Sequence, residues 1–172
     1  IAHEVLAMVA RILALFTLLL VAAAPGPVTY DRLLHADREP HNWLSYSGNY
    51  AGHRYSSLSQ IDRTNVKYLQ LKWSYHPLYA KNGNAQNKME NTPLVVDGIM
   101  YTGTALEVVA LDAVTGRQYW KFARTLDPKE YYNAYEVNKG LAIAGNVLFW
   151  ATVDCHLIAI DATSGIVLWN KV

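Results

Sequence analysis

The feature that most constrains the fold is one motif that the chain contains twice. The stretch VVALDAVTGRQYWKFA begins at residue 108 and the stretch LIAIDATSGIVLWNKV begins at residue 157, a spacing of 49. Both contain the pattern Ala-x-Asp-Ala-x-(Thr/Ser)-Gly-x-x-x-Trp. A repeat of this period is typical of folds in which one structural unit packs on the next.

Each shared position of the motif has a physical role. Asp112 and Asp161 can accept hydrogen bonds from the turn that follows each of them. Gly116 and Gly165 can adopt the left-handed backbone that this turn needs. Trp120 and Trp169 each bury a large flat ring. Ala110 and Ala159 are small, so they leave room for the ring of a neighbouring unit. The motif therefore predicts packing between units rather than catalysis.

Short apolar runs separated by turn residues fill residues 90–172. Asp97-Gly98 and Gly145-Asn146 favour tight hairpins, and Thr115-Gly116 and Ser164-Gly165 occupy matching places later in each repeat. Each repeat thus contains four short strands. The sequence predicts an all-β fold, a partial β-propeller in which residues 90–172 form the first two blades of four antiparallel strands each.

Residues 27–89 are predicted to be the mature N-terminal segment, with one closing strand and a loop. A period-two pattern places one face of that strand at Leu69, Leu71, Trp73 and Tyr75. A short helical turn is expected just before it, with Asp62 or Thr64 as N-cap. Residues 77–89 are polar, contain Gly83 and show no apolar period, so they are predicted to form a loop.

Residues 1–26 are predicted to be a signal peptide. A short start with Arg11 precedes an apolar run from Ile12 to Ala24 that ends in small residues, and Met8 is a possible true start. The alternative is a membrane anchor, because the apolar stretch from Val5 is about 20 residues long. Arg11 interrupts that stretch, which favours a cleaved signal and a periplasmic location.

Composition excludes several classes of function. Fifteen Lys+Arg against fourteen Asp+Glu give a net charge of +1, so no nucleic-acid partner is expected. The six histidines show no HxxH or HExxH spacing, and no metal-binding residue is assigned. The single cysteine, Cys155, cannot form a disulfide within the chain and is expected to be buried.

The repeated motif resembles the tryptophan-docking motif of the quinoprotein propellers, the family of alcohol dehydrogenases that depend on pyrroloquinoline quinone (PQQ). Non-enzymatic propellers of the outer-membrane assembly lipoprotein type carry similar repeats, so a periplasmic scaffold is the alternative. Three further stretches resemble the dehydrogenases: NWLSYSGNYAGHRYSSLSQIDRTNVKYLQLKW, MENTPLVVDGIMY and YEVNKGLAIAGNVLFWATVDCHLIAID. The scaffold proteins have no reason to keep the MENTP and VNKG pair, and they typically carry a lipobox cysteine.

The resemblance implies two cofactor-binding residues, Glu90 and Lys139. Glu90 matches the family glutamate beside PQQ, and Lys139 stands where these enzymes commonly have an arginine that contacts a cofactor carboxylate. PQQ is a tricarboxylate, so a cation at its site is expected. Many members also carry two adjacent cysteines over the cofactor, but this chain has Asn133 and Ala134 there.

The implied activity is oxidation of an alcohol by hydride transfer to PQQ, with a cytochrome c as a possible electron acceptor. In the family a calcium ion and a catalytic aspartate complete the site, and their residues are expected beyond residue 172. No catalytic residue is therefore assigned within this chain. The resemblance implies the N-terminal part of a longer enzyme, which is expected to be inactive by itself.

Overall fold

The computed structural model describes residues 25–78, 90–126 and 137–172. One short helix, α1, spans Tyr30–Leu34, and two 3₁₀ turns span Ala36–Arg38 and Val66–Tyr68. The eight strands of the described residues are β1 Leu94–Val96, β2 Ile99–Gly103, β3 Glu107–Asp112, β4 Gln118–Ala123, β5 Ala142–Ala144, β6 Val147–Ala151, β7 Leu157–Asp161 and β8 Val167–Lys171.

The strands form two antiparallel four-stranded sheets. The first has the order β1-β2-β3-β4 and the second the order β5-β6-β7-β8, so each strand pairs with its neighbours in sequence. These sheets are the two predicted blades, called blade 1 and blade 2 below. The all-β prediction and the four-stranded repeat are confirmed.

Two predicted hairpin turns owe their geometry to positive φ angles. Asp97 and Gly98 have φ of 48° and 85°, and Gly145 has φ of 59°. Aspartate and glycine tolerate this left-handed region, which tight hairpins require. The turns therefore close β1 on β2 and β5 on β6 as predicted.

The repeated motif closes the third strand of each blade on the fourth. Asp112 accepts hydrogen bonds from the backbone N–H of Val114 and Thr115, at 3.0 and 2.8 Å. Asp161 receives the same pair of bonds from Thr163 and Ser164, at 3.1 and 2.8 Å. A register shift follows at the same place in both blades, because the extra turn residues are absorbed as a bulge.

A single apolar core lies between the two blades. Fourteen buried residues from both sheets and from the N-terminal segment form one cluster, whose largest members include Trp150, Tyr101, Leu148, Ile158 and Ile160. Burial of each such side chain stabilises the fold by about 1.5 to 3 kcal/mol. The apolar core is therefore shared by the two blades and the N-terminal segment.

Residues 27–44, called the arm below, cross both blades. Val28 forms a bridge with Gly145 of blade 2, and Trp43 forms one with Val95 of blade 1. The Arg32 side chain binds Glu39 and Asp97 at 2.7 and 2.8 Å. The arm thus fastens the β1-β2 turn through charged hydrogen bonds.

The segment around Trp73 differs from its prediction as a paired strand. Burial alternates only over residues 73–78, whereas Leu69 and Leu71 are 61% and 85% exposed, and residues 69–78 pair with no strand of the described residues. A strand needs a hydrogen-bonded neighbour, and apolar periodicity alone does not provide one. The predicted helical turn is confirmed as the 3₁₀ turn, but its N-cap is Asn65 rather than Asp62 or Thr64. Asp62 accepts bonds from the backbone N–H of Thr64 and Asn65 just before it.

Trp73 nevertheless packs on blade 1. A Cβ built on Gly116 would lie 2.6 Å from its ring, and one built on Gly165 would lie 2.7 Å from the ring of Trp120. The two tryptophans therefore dock on the turn glycine of the following blade. The sequence did not predict the docking of Trp73, because its segment lacks the rest of the motif.

The predicted roles of the motif alanines were wrong. Ala110 and Ala159 are fully buried as cross-strand partners of Trp120 and Trp169 in their own sheets, so the neighbouring ring rests on glycine instead. Trp169 remains 38% exposed because no described residue packs on it as blade 2 packs on Trp120. The motif glycine has no Cβ, and this allows closer approach of a ring than alanine does.

Cys155 was predicted to be buried and is exposed. It occupies the turn between β6 and β7 with φ of 64°. Residues 1–24 of the predicted signal peptide, and Asn133 and Ala134, lie outside the described residues. Within residues 25–78, 90–126 and 137–172, no helix has the length and apolarity needed to cross a membrane.

Candidate functional site

Glu90 and Lys139 lie together, although 49 positions separate them in the chain. The Lys139 ammonium donates a hydrogen bond to Oε2 of Glu90 and forms an ion pair with it. This contact raises the pKa of Lys139 above its ordinary value, first through the hydrogen bond and then through the charge of Glu90. The Lys139 side chain is 74% exposed, so its ammonium is accessible to a ligand.

The backbone on either side of the blade boundary brings these residues together. Thr92 and Gly140 form a parallel bridge between the segment that leads into β1 and the segment that leads into β5. Gly140 has φ of 124°, which glycine adopts far more readily than other residues. A Cβ at this position would lie 3.6 Å from Asn91 and from the ring of Tyr46.

Two asparagines, the buried Asn138 and the half-buried Asn91, adjoin the charged pair, and the sequence did not single them out. Asn138 donates from Nδ2 to the carbonyl of Ala151 at 2.9 Å and accepts the N–H of Gly140 at 2.8 Å. Asn91 donates from Nδ2 to Oγ1 of Thr102 at 3.1 Å and also to the carbonyl of Gly103. Their positions directly beside Glu90 and Lys139 were the only available signal.

An open, mainly apolar depression adjoins Lys139. Its lining includes Tyr46, Lys139, Leu141, Phe149, Ala151 and Leu157. Tyr46 lies below the guanidinium of Arg54, whose central carbon is 5.2 Å from the ring centroid. A cation, a carboxylate and aromatic and aliphatic surface therefore meet at the end of the blades where β2 and β6 finish.

A second charged cluster lies at the β6-β7 turn. Arg124 donates to Oδ1 of Asp154 at 3.0 Å and to Oγ1 of Thr152 at 3.2 Å. His156 contacts Oδ1 of Asn170 at 2.8 Å through Nδ1. The Asp154 side chain is buried, so this cluster satisfies a buried carboxylate and has a structural role.

A third group brings together Glu39, His41 and Asp97, whose potential ligand atoms lie within 4.8 Å of one another. Arg32 already pairs with both carboxylates. The hydrogen bond from Arg32 is the main cause that lowers the pKa of Glu39. This group is therefore the ion-pair anchor of the arm.

Of these groups, the Glu90–Lys139 pair has the chemistry to bind an anionic organic ligand. The Lys139 ammonium can meet a ligand carboxylate, and the neighbouring apolar surface can cover a ring system. Oδ1 of Asn91 is also buried without a hydrogen-bond partner in the part of the chain that the structure describes. These residues fit a planar polycarboxylate such as the cofactor that the sequence implies.

Comparison with known proteins gives matches over most of the chain. Residues 43–170 match the family model described as PQQ: glucose/ethanol/alcohol dehydrogenase, beta-propeller domain. The dehydrogenase subunit of the alcohol dehydrogenase (quinone) of Acetobacter aceti is 41% identical over 148 residues, which are 82% of this chain and 19% of that protein. The quinohemoprotein alcohol dehydrogenase ADH-IIG of Pseudomonas putida is 39% identical over 158 residues, covering 88% and 21%.

Solved structures give the same result. The quinohemoprotein alcohol dehydrogenase ADHIIG from Pseudomonas putida HK5 superposes with a TM-score of 0.75 at 38% identity, covering 86% of this chain and 22% of that one. A europium-containing methanol dehydrogenase superposes with a TM-score of 0.70 at 34% identity, covering 82% and 24%. The chain thus spans about a fifth of the length of the curated relatives it matches, 19% and 21% for the two described above.

Proposed function

This chain belongs to the family of PQQ-dependent alcohol dehydrogenase β-propellers, and we propose that it forms the N-terminal part of a periplasmic enzyme that oxidises an alcohol. The observation that supports this most directly is the ion pair between Glu90 and Lys139. Sequence similarity alone could survive the loss of a binding site. Two charged residues that the resemblance matches to cofactor contacts, and that an ion pair joins across a blade boundary, support the proposal more directly.

In the proposed complex, Lys139 pairs with a carboxylate of PQQ, and Glu90 either remains paired with Lys139 or accepts a proton from a cofactor group. PQQ supplies a carbonyl that can take up a hydride from the alcohol. The lysine ammonium is a point charge, whereas the arginine guanidinium donates two hydrogen bonds in one plane. The affinity of Lys139 for a PQQ carboxylate therefore depends more on how the backbone positions the side chain. The neighbouring apolar depression keeps part of the ligand out of water and strengthens the charge contact.

The rest of the proposed reaction depends on residues outside this chain. We propose a calcium ion as Lewis acid and a catalytic aspartate, both provided by later blades, as the family resemblance implies. The 172-residue chain alone is therefore expected to be inactive. Export by residues 1–26 and electron transfer to a periplasmic cytochrome c complete the proposal.

The test uses the polypeptide encoded by the full reading frame that carries these residues. Apo-protein is titrated with PQQ in the presence of Ca²⁺, and binding is followed by tryptophan fluorescence quenching. Replacement of a charge-assisted contact (Lys139→Ala) is expected to weaken PQQ binding about 10- to 100-fold. Lys139→Arg should keep the affinity or improve it, since it restores the bidentate cation.

Lys67→Ala is the matched control, because Lys67 is an exposed lysine in the 3₁₀ turn that contacts Tyr68. It should leave PQQ affinity unchanged. Dye reduction with ethanol, measured in parallel, checks the proposed activity. If Lys139→Ala binds PQQ as tightly as the unmodified protein, the site is not at Glu90 and Lys139.

A further inference from the structure

We propose that Asn138 is a positioning residue that fixes Lys139 opposite Glu90, and that Asn91 performs the matching task for Glu90. The two asparagines would keep the Lys139 and Glu90 side chains in contact with each other. This proposal rests on the proposed function only for the identity of the ligand. The observations that carry it are burial, hydrogen bonding and the equivalent placement of the two asparagines in the two blades.

Asn138 uses both ends of its amide. It is 5% exposed, its Nδ2 donates to the carbonyl of Ala151 and its Oδ1 accepts the N–H of Gly140. The second bond spans Lys139, so the residues before and after the lysine are tied to each other. The first bond then ties that short loop to the end of β6.

Asn91 forms the corresponding link in blade 1. Its Nδ2 donates to the carbonyl of Gly103, the last residue of β2, just as Asn138 donates to the last residue of β6. One asparagine follows Glu90 and the other precedes Lys139. Both charged residues are thus fastened to the same strand end of their own blade.

The parallel bridge between Thr92 and Gly140 then fixes the distance between the two fastened segments. Such fastening matters because Lys139 has a long, flexible side chain. An exposed ion pair does not by itself overcome the rotamer entropy of lysine. Backbone anchoring by buried amides supplies the order that the ion pair lacks.

The first experiment needs no ligand. A water-soluble carbodiimide joins a carboxylate and an amine only when they lie in contact, and mass spectrometry of the digested full-length protein quantifies the Glu90–Lys139 amide. Asn138→Ala removes both hydrogen bonds while keeping both charges, and it should lower the cross-link yield at least about threefold. Asn146→Ala, at an exposed asparagine in the β5-β6 turn, is the matched control and should not change the yield.

The second readout is the affinity for PQQ, with Asn138→Ser as the conservative variant. Serine can still accept the N–H two residues later, so it should restore part of the cross-link yield. Asn138→Ala should weaken PQQ binding about tenfold. If Asn138→Ala is too unstable to study, the cross-link yield of Asn138→Ser is the test. A yield below that of the unmodified protein supports the proposal, and an unchanged yield overturns it.

The possible outcomes are distinct. Reduced cross-linking together with weaker PQQ binding supports the proposal in full. Reduced cross-linking in a protein that binds no PQQ, even when unmodified, supports positioning by Asn138 and overturns the proposed cofactor. Unchanged cross-linking in a folded Asn138→Ala protein overturns the positioning role, whatever the affinity for PQQ.

Discussion

The indole of Trp120 rests on Gly165, so that a Cβ added to this glycine would lie 2.7 Å from two ring carbons. Trp120 belongs to the last strand of blade 1, and Gly165 to the turn before the last strand of blade 2. The indole N–H also donates to the carbonyl of Ala162 at 2.9 Å. One side chain thus joins two blades through both contact and hydrogen bonding.

Replacing this glycine by alanine should be costly. Gly165→Ala introduces left-handed strain and a ring clash, and we expect a loss of about 2 to 4 kcal/mol in unfolding free energy. Gly98→Ala is the matched control, since Gly98 has φ of 85° and nothing within 4 Å of the added Cβ. It should cost only the strain, about 1 to 2 kcal/mol. Guanidinium denaturation measures both, and equal losses would contradict a docking role for Gly165.

Tyr75 should contribute to stability because its hydroxyl satisfies the buried carboxylate of Glu107. Tyr75 donates to Oε1 of Glu107 at 2.8 Å, and the Glu107 side chain is 0% exposed, with Lys121 3.8 Å away. Burial and this hydrogen bond raise the pKa of Tyr75. Tyr75→Phe should therefore destabilise the protein by about 1.5 to 3 kcal/mol.

Tyr119→Phe is the comparison for that variant. Tyr119 donates to Oδ2 of Asp112 at 2.9 Å on the exposed surface. Because water can replace this bond, the expected loss is below about 0.5 kcal/mol. Thermal unfolding of both variants distinguishes them, and similar melting temperatures would show that Glu107 has another partner.

The arm should loosen in acid. A hydrogen bond from Arg32 is the largest influence on Glu39 and lowers its pKa, while at Asp97 burial raises the pKa but is outweighed by bonds from Arg32, Asn42 and Gly26. Since both folded pKa values lie below their unfolded values of about 4, this stabilisation is complete above about pH 5. It is lost as the pH falls through the folded pKa values.

Hydrogen exchange of residues 27–44 at pH 7 and pH 3 tests this. Exchange should be faster at pH 3 after correction for the intrinsic rate. Asp97→Asn removes one charge and keeps a residue that tolerates φ of 48°, so it should loosen the arm at pH 7 without opening the hairpin. Asp37→Asn, an exposed carboxylate of the same arm, should leave protection unchanged. Protection that does not depend on pH would contradict the role of the ion pairs.

Replacing Cys155 by glycine should stabilise the protein. The φ of 64° at Cys155 carries left-handed strain, and glycine relieves that strain at some entropic cost, so Cys155→Gly should stabilise the protein by about 0.5 to 1 kcal/mol. Cys155→Ala keeps the strain and should have little effect. Chemical denaturation compares them, and a loss of stability in the glycine variant would mean that the thiol makes a stabilising contact.

Much of the fold was predictable because its determinants are local. The Asp97-Gly98 and Gly145-Asn146 dipeptides set their own backbone angles, and the motif aspartates bond to residues two and three positions later. Such interactions can be recognised in a short stretch of sequence. The four-stranded repeat followed from these turns and the apolar runs between them.

The site was predictable only in part. Glu90 and Lys139 were identified through resemblance to a family, because a glutamate and a lysine taken alone are ordinary surface residues. Asn91 and Asn138 were not identified, since their importance comes from bonds to strand ends 12 and 13 positions away. Likewise, the segment around Trp73, predicted as a closing strand, pairs with no strand of the described residues, because periodicity reports which side chains share a face and not which strand lies beside them.

By itself the sequence determined the strands, the turns and the repeated unit, since these depend on backbone preferences and contacts within a few residues. Only the tertiary structure decided which surface each tryptophan ring packs on. It placed glycine rather than alanine under the ring, and it brought Lys139 beside Glu90. These relationships join residues 42 to 49 positions apart. They arise only when the two blades pack together, because burial of the shared apolar core brings the blade ends into register.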